Sequence, residues 1–299
     1  KIDGLNFNRK HKWIQDLDTI PFPARHLIPV EKYFDAGRAY REHAHKRIAF
    51  PMITSRCCPI ACTFCATHSM MGSYRQRSPQ NVIEEIEYLI ANYGMEEIYF
   101  LDDALVHDNF RELLKIMAKK DYGLTWHGAN GTAIYSLDDE LIELHAATGC
   151  YKMIFSIESG VPTTLKYMKK TIDLNTAPNI VKKVQNLGMR AESMFMLGLS
   201  VESKADIRKT VAFAESLNLD YVSFPLATPF KGTVLYKDLI QKGVIRDDIP
   251  VEDLKFGISN IDGIDWDGEW VENFRVKSWK RLNPELAKAT TEFMPAGAI

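Results

Sequence analysis

Apolar residues along this chain follow two periods in turn. Short continuous apolar runs read as strands, and longer stretches with apolar residues three or four positions apart read as helices. Residues 1–47 follow neither pattern. Ile20-Pro-Phe-Pro-Ala-Arg25 carries two prolines, each of which restricts the residue before it, so an irregular lead-in is predicted. Ala49 to Thr54 is the first predicted strand. Ser78 then suits an N-cap and Pro79 the first helical position. Val82, Ile83, Ile86, Leu89, Ile90 and Tyr93 recur at helical spacing until Gly94 stops the helix. Glu97 to Leu101 is predicted as strand, Asn109 to Lys120 as helix and Thr125 to Gly128 as strand. Ser136-Leu-Asp-Asp139 resembles a capping box for a helix ending near Gly149. Tyr151 to Ile157 is the fourth strand, followed by helices over Thr163–Met168 and Thr176–Leu187, the latter ending at Gly188. Ala191 to Leu197 is strand, Lys204 to Leu217 helix, Tyr221 to Leu226 strand and Val234–Lys242 helix. The remainder is expected to be irregular, with one more helix near its end.

Strands separated by helices imply parallel βα units, here six. Right-handed crossovers would curl them into an open barrel, so the fold class expected is α/β, a partial (β/α)6 barrel. The expected division is a lead-in over 1–47, a barrel over 48–230 and a C-terminal extension over 231–299. Barrels of this kind carry their chemistry at the C-terminal strand ends. The cysteine-rich loop after the first strand, Asp102-Asp103, His127 and Glu158-Ser159 all fall there.

Composition narrows the class. The 299 residues suffice for one large barrel, and a hydrophobic fraction of 46% is that of a globular protein. A net charge of −2 gives no general attraction for nucleic acid or an anionic membrane, so neither is expected as partner. No apolar run is long enough to span a bilayer and no signal peptide opens the chain. The first residue is Lys1 rather than Met, so the chain reads as a fragment. Its five cysteines, Cys57, Cys58, Cys62, Cys65 and Cys150, are odd in number and clustered. That is a poor disulfide framework and suits a reducing cytoplasm.

Cys58-Pro-Ile-Ala-Cys62-Thr-Phe-Cys65 places three thiols on one tight loop. Three close thiolates with no fourth suit a 4Fe-4S cubane with one open iron. Structural zinc could recruit His68 as fourth ligand, but such sites draw ligands from separated pairs that tie two pieces of chain together, whereas these would tie nothing. Cys57 reads as a bystander, because only Cys58 gives the three-then-two spacing. Cys150 reads as a small buried hydrophobe.

With these residues the chain resembles the radical S-adenosylmethionine (SAM) superfamily, and more narrowly the catalytic half of its cobalamin-dependent methyltransferases. The likeness runs over most of residues 15–245. It includes Asp18-Thr-Ile-Pro-Phe-Pro-Ala-Arg25, Thr54-Ser-Arg-Cys-Cys58, Arg77-Ser-Pro, Ile98-Tyr-Phe-Leu-Asp-Asp103, Phe155-Ser-Ile-Glu-Ser-Gly160, Met196-Leu-Gly198 and Thr228-Pro-Phe-Lys-Gly-Thr233. Gly131 to Gly160, Ile172-Asp-Leu-Asn and Trp266-Asp-Gly-Glu are similar to the fosfomycin-pathway phosphonate C-methyltransferases. The family usually has Gly where Cys57 stands, and its cobalamin domain precedes the lead-in.

The resemblance implies a 4Fe-4S cluster on Cys58, Cys62 and Cys65, with SAM on the open iron. It also implies an external electron donor, cleavage of SAM to a 5′-deoxyadenosyl radical, and cobalamin as carrier of a methyl group to an unactivated carbon of a small substrate. It places Phe64 as an aromatic wall beside the adenine and Asp103 in contact with cofactor or substrate. Glu158 and Ser159 either meet the polar parts of SAM or start a helix, and Gly198 either admits SAM to the backbone or makes a plain turn. Arg75 and Arg77 could reach a substrate phosphoryl group. His68, His107 and His127 are expected to pack or face solvent. The competing enzyme reading is a radical SAM protein without cobalamin, a methylthiotransferase or oxidoreductase. The competing non-enzyme reading is a structural metal or electron-carrying protein.

Overall fold

The computed structural model describes residues 13–36, 46–105, 108–255 and 257–293. Its strands are β1 (Ala49–Met52), β2 (Ser55–Arg56), β3 (Arg75–Gln76), β4 (Glu97–Phe100), β5 (Thr125–Gly128), β6 (Cys150–Glu158), β7 (Arg190–Phe195) and β8 (Tyr221–Ser223). Six of them form one sheet in the order β1-β4-β5-β6-β7-β8, every neighbouring pair parallel. Each new strand is added at the same growing edge, and right-handed crossovers send every connecting helix to the same face. This is the partial (β/α)6 barrel, with β1 and β8 as edge strands. The antiparallel pair β2–β3 brackets the cysteine loop.

The helices are α1 (Val30–Ala36), α2 (Thr67–Met71), α3 (Pro79–Tyr93), α4 (Asp108–Lys120), α5 (Asp139–Ala147), α6 (Pro162–Met168), α7 (Ala177–Asn186), α8 (Lys204–Ser216), α9 (Val234–Gln241), α10 (Gly268–Leu282) and α11 (Pro284–Phe293). None of the described helices is long and apolar enough to cross a membrane. α3 forms as its sequence dictates. Ser78 Oγ accepts from the Asn81 amide at 3.1 Å, Pro79 opens the helix, and left-handed Gly94 closes it on the Ile90 and Leu89 carbonyls. Val82, Ile83, Ile86 and Leu89 bury the inner face. Beside them Phe100, Phe110 and Trp126 meet edge to face, with ring centroids 5.4–5.7 Å apart.

Several expectations are corrected. The lead-in is not wholly irregular: it carries α1, and it is pinned to the barrel by the Asp18 carboxylate on the Ser78 amide (2.9 Å) and by an Arg25–Glu85 ion pair (2.8 Å). The cap of α5 is Asp138, which accepts from the Leu141 amide at 2.8 Å; the Ser136 hydroxyl instead closes a 3-10 turn on Ala133. β1 stops at Met52 because the Thr54 amide turns aside to the Asp102 carboxylate. β8 stops at Ser223 because Pro225 has no N–H to donate, and its carbonyl accepts from Leu197 instead. The C-terminal segment holds two helices, α10 and α11, rather than one. His107 and the start of the lead-in lie outside the described residues.

Candidate active site

The cysteine loop leaves the end of β1 and is fastened at several points. Asp102, fully buried at the end of β4, accepts from the Thr54 amide (3.0 Å), the Thr54 hydroxyl (2.7 Å) and the Ser55 hydroxyl (2.6 Å). The adjacent Asp103 carboxylate accepts from the Cys57 backbone N–H, and burial holds its pKa above the usual carboxylate range. Further along, the Thr63 amide donates to the Met168 carbonyl at the end of α6, and the Thr63 carbonyl accepts from the Leu235 amide in α9. The acidic pair therefore secures the start of the loop, and α6 and α9 hold its middle.

Cys57 adopts φ +69°, a left-handed conformation that costs an ordinary residue on the order of 1 kcal/mol and glycine nothing. That is the physical reason why glycine is favoured here. Its buried thiol donates to the Gly72 carbonyl at 3.2 Å, so it packs under the loop. The His68 ring nitrogens face the Ile60 carbonyl (3.0 Å) and the Cys57 sulfur (3.7 Å), so His68 braces the loop from within.

Cys58, Cys62 and Cys65 are partly buried free thiols. Burial raises the Cys58 thiol and pushes Cys62 up to about 11. Among the described residues, no three His, Cys, Asp or Glu side chains are arranged to hold a single metal ion. A cubane asks for something else: each thiolate reaches its own iron, so the donors stand around a cluster-sized space. Three thiols on one loop, beside a cavity and with no fourth cysteine near in sequence, fit that group.

The cavity measures about 1070 Å³. Phe64, Cys65, Thr67 and Met70 border it from the loop side, Glu158 and Met194 from β6 and β7, and Tyr221, Phe230, Lys231, Arg275 and Trp279 from the chain that follows. Sequence reasoning thus picked out Phe64, Cys65 and Glu158 on the rim. Glu158 has φ +71° where the β6–β7 register shifts, which turns its side chain off the regular pleat. Strained backbone of this kind gathers at functional sites. The Lys170 ammonium lies 3.4 Å from the Glu158 carboxylate, with both side chains more than nine-tenths buried. It also donates to the Ser156 carbonyl (3.0 Å) and favours the thiolate forms of Cys58 and Cys62.

Other expected residues have different partners. The Ser159 hydroxyl is fully buried, 3.1 Å from that of Thr210 in α8, and accepts from the Val161 amide. Gly198 has φ +86°; its N–H donates to Glu202 at 3.1 Å, and a side chain there would meet Val271 and Trp266. These are the contacts of the helix-start and turn readings. Arg75 spends its guanidinium on the Ser73, Ile14 and Met71 carbonyls. Arg77 spends its own on Asn81, Ile53 and Glu85. Neither borders the cavity, so the expectation that they reach substrate is corrected. The cations on the cavity lining are Lys231 and Arg275, and Lys170 pairs with the lining residue Glu158. Lys231 sits in the Thr228–Thr233 segment already noted, but nothing in sequence marked Lys170 or Arg275. A Lys-Lys pair reads as surface, and an arginine in an amphipathic helix reads as its wet face.

Known proteins agree with this arrangement. The family model described as the radical SAM superfamily matches residues 52–214, more than half of the chain. Cytidylyl-2-hydroxyethylphosphonate methyltransferase of Streptomyces wedmorensis is 34% identical over 291 residues, covering 92% of this chain and 53% of that protein. The chain spans about half the length of the curated relatives it matches. In structure it is similar to the radical S-adenosylmethionine methyltransferase TsrM of Kitasatospora setae, solved with cobalamin and a 4Fe-4S cluster. The TM-score is 0.59 at 18% identity, over 64% of this chain and 36% of that one. The fold is also that of methylornithine synthase, with TM-score 0.50 at 14% identity over 85% of this chain and 68% of that one. With the three-cysteine loop at the mouth of a six-stranded parallel barrel, the chain belongs to the radical SAM superfamily.

Proposed function

We propose that this chain is the catalytic core of a cobalamin-dependent radical SAM methyltransferase that methylates an unactivated carbon of a small substrate, with a phosphonate as the substrate class. The observation that carries the reading is the meeting of Cys65, Phe64 and Glu158 on one large cavity at the C-terminal end of the barrel. The likeness to the Streptomyces phosphonate methyltransferase supports the substrate class.

When bound, the cluster and SAM supply an electron and a carbon radical, and cobalamin supplies a methyl group. Cys58, Cys62 and Cys65 would hold the cluster as thiolates. Burial favours the neutral thiols of Cys58 and Cys62, so loading releases protons, and the Lys170 ammonium offsets part of that cost. Glu158 offers a carboxylate to the amino or hydroxyl groups of SAM, while Lys170 keeps its charge balanced. Phe64 walls the adenine. Asp103 and Ser159 act through the backbone they hold. Met194, Met196, Phe224 and Pro225 make the cavity largely apolar, which keeps water from a reactive intermediate. No residue of this chain is assigned to cobalamin, and no step is routed through it.

Anaerobic turnover of the full-length protein with reductant, SAM, cobalamin and cytidylyl-2-hydroxyethylphosphonate is the test. Methylated product together with 5′-deoxyadenosine is expected. Equal turnover without cobalamin would favour the cobalamin-independent reading, and a cluster whose spectrum ignores SAM would defeat both.

A further inference from the structure

The charges on the cavity lining are unevenly matched. Glu158, Lys231 and Arg275 are the carboxylate and the two cations on its lining. Glu158 is already balanced by Lys170 at 3.4 Å. Neither Lys231 nor Arg275 makes an ion pair with a described residue. The Arg275 Nε is buried and has no hydrogen-bond partner. Glu272, on the same helix, is the carboxylate that favours its charge, but it accepts from the Ser259 amide at 2.8 Å. A buried guanidinium nitrogen without a partner is costly, and native proteins keep such groups for a reason.

Placement supplies that reason. Arg275 and Trp279 are one turn apart on α10, so they share a face and both border the cavity. Lys231 approaches from the loop after β8. Gly257 lies close to the guanidinium: a side-chain carbon there would stand 3.5 Å from Nη2, at van der Waals contact. Beside these cations stand Tyr221, Phe230 and Trp279, which suit a flat or apolar body.

We propose that Arg275 and Lys231 are the anion anchor of this cavity, gripping the phosphonate or phosphate-ester oxygens of the substrate against the aromatic wall of Trp279, Tyr221 and Phe230. A planar two-pronged donor paired with a point cation brings two positive charges, which balance a doubly charged phosphorus oxyanion better than a singly charged carboxylate. The assignment rests on the cavity being the substrate chamber proposed above. It makes the C-terminal segment, rather than the barrel strands, the source of substrate selection.

The test uses the full-length, cluster-loaded protein under anaerobic conditions. Three probes are titrated by calorimetry: 2-hydroxyethylphosphonate, cytidine 5′-monophosphate and uncharged cytidine. The wild type should prefer at least one of the two anions over cytidine by about tenfold or more, and the stronger of them identifies the anion source. Arg275→Gln and Lys231→Gln should each weaken that anion about tenfold while leaving cytidine binding and the SAM-induced change in the cluster spectrum as they were. Arg275→Lys should recover part of the loss. Thermal stability should hold or rise in Arg275→Gln, since a buried Nε without a hydrogen-bond partner is being removed; a marked fall would mean that the arginine is structural. No preference for anions, unaltered anion binding in the variants, or a loss of the SAM response in place of anion binding would each overturn the proposal. The last outcome would assign the cations to the SAM carboxylate and leave the methyltransferase reading intact. A wild-type cluster blind to SAM would instead defeat that reading, while the anion titration still judged the anchor.

Discussion

At the scale of single residues, the cysteine trio carries the largest consequence. Replacing any one of Cys58, Cys62 or Cys65 with Ala should abolish cluster binding, and iron content of the anaerobically purified variant measures it. Cys57→Ala should keep its iron, because that thiol faces the Gly72 carbonyl. Glu202 gives a prediction of another kind. It is fully buried and accepts from the Gly198 and Leu199 amides at 3.1 and 2.9 Å, but its other oxygen has no partner. Burial, opposed by those two amides, pushes its pKa above the usual carboxylate range, up to about 7. The folded state then holds a proton that the unfolded chain releases. Its contribution to stability is complete below the unfolded pKa and lost as pH rises toward 7, by on the order of 3 kcal/mol. Glu202→Gln should remove that slope, and melting temperatures measured between pH 5 and 8 would read it. An unchanged slope would put the titration elsewhere.

At the scale of elements, the segment after the barrel is held by one side chain in particular. The Asn283 amide donates to the Val222 carbonyl at 2.9 Å, and its oxygen accepts from the Val222 amide at 3.0 Å. It thereby pairs the free edge of β8 as a neighbouring strand would. Asn283→Ala should strand both buried backbone groups and cost about 1–3 kcal/mol. Hydrogen exchange at the Val222 amide should quicken, and α10 should lose protease resistance. Gly160 makes a second element contact. A side-chain carbon there would lie 2.5 Å from Phe213 Cβ and 3.1 Å from Thr210 Cα. The turn after β6 therefore presses directly on α8, and Gly160→Ala should cost about 1–3 kcal/mol by overpacking, read as a lowered melting temperature.

At the scale of the whole molecule, the barrel and the cluster site are largely independent. The sheet, the inner faces of α3 and α4 and the Phe100–Phe110–Trp126 contacts form a core that does not include Cys58, Cys62 or Cys65. The three proposed ligands sit on one loop and would cross-link no separated elements. Iron chelation should therefore leave far-UV circular dichroism unchanged, with new proteolysis confined to the loop around residues 57–72. Global unfolding on chelation would show that the metal centre also holds the fold. The cavity, by contrast, belongs to the whole chain: its border draws on the cysteine loop, on β6 and β7, and on α10.

The alternation of periods and the cysteine spacing determined the six parallel units, the family and the three candidate cluster ligands, because those properties are local. A helix face, a proline or a thiol spacing depends only on neighbours along the chain. Ser203-Lys-Ala-Asp206 is equally legible as a capping box, and both of its reciprocal bonds form. Tertiary structure alone decided that Asp103 and Ser159 hold backbone while Glu158 meets Lys170, that Arg75 and Arg77 are consumed by carbonyls and Glu85, and that Arg275 reaches the cavity. Each of those outcomes depends on which distant groups share a low-dielectric space. A charge on a helix looks the same in sequence whether folding turns it toward water or toward a ligand.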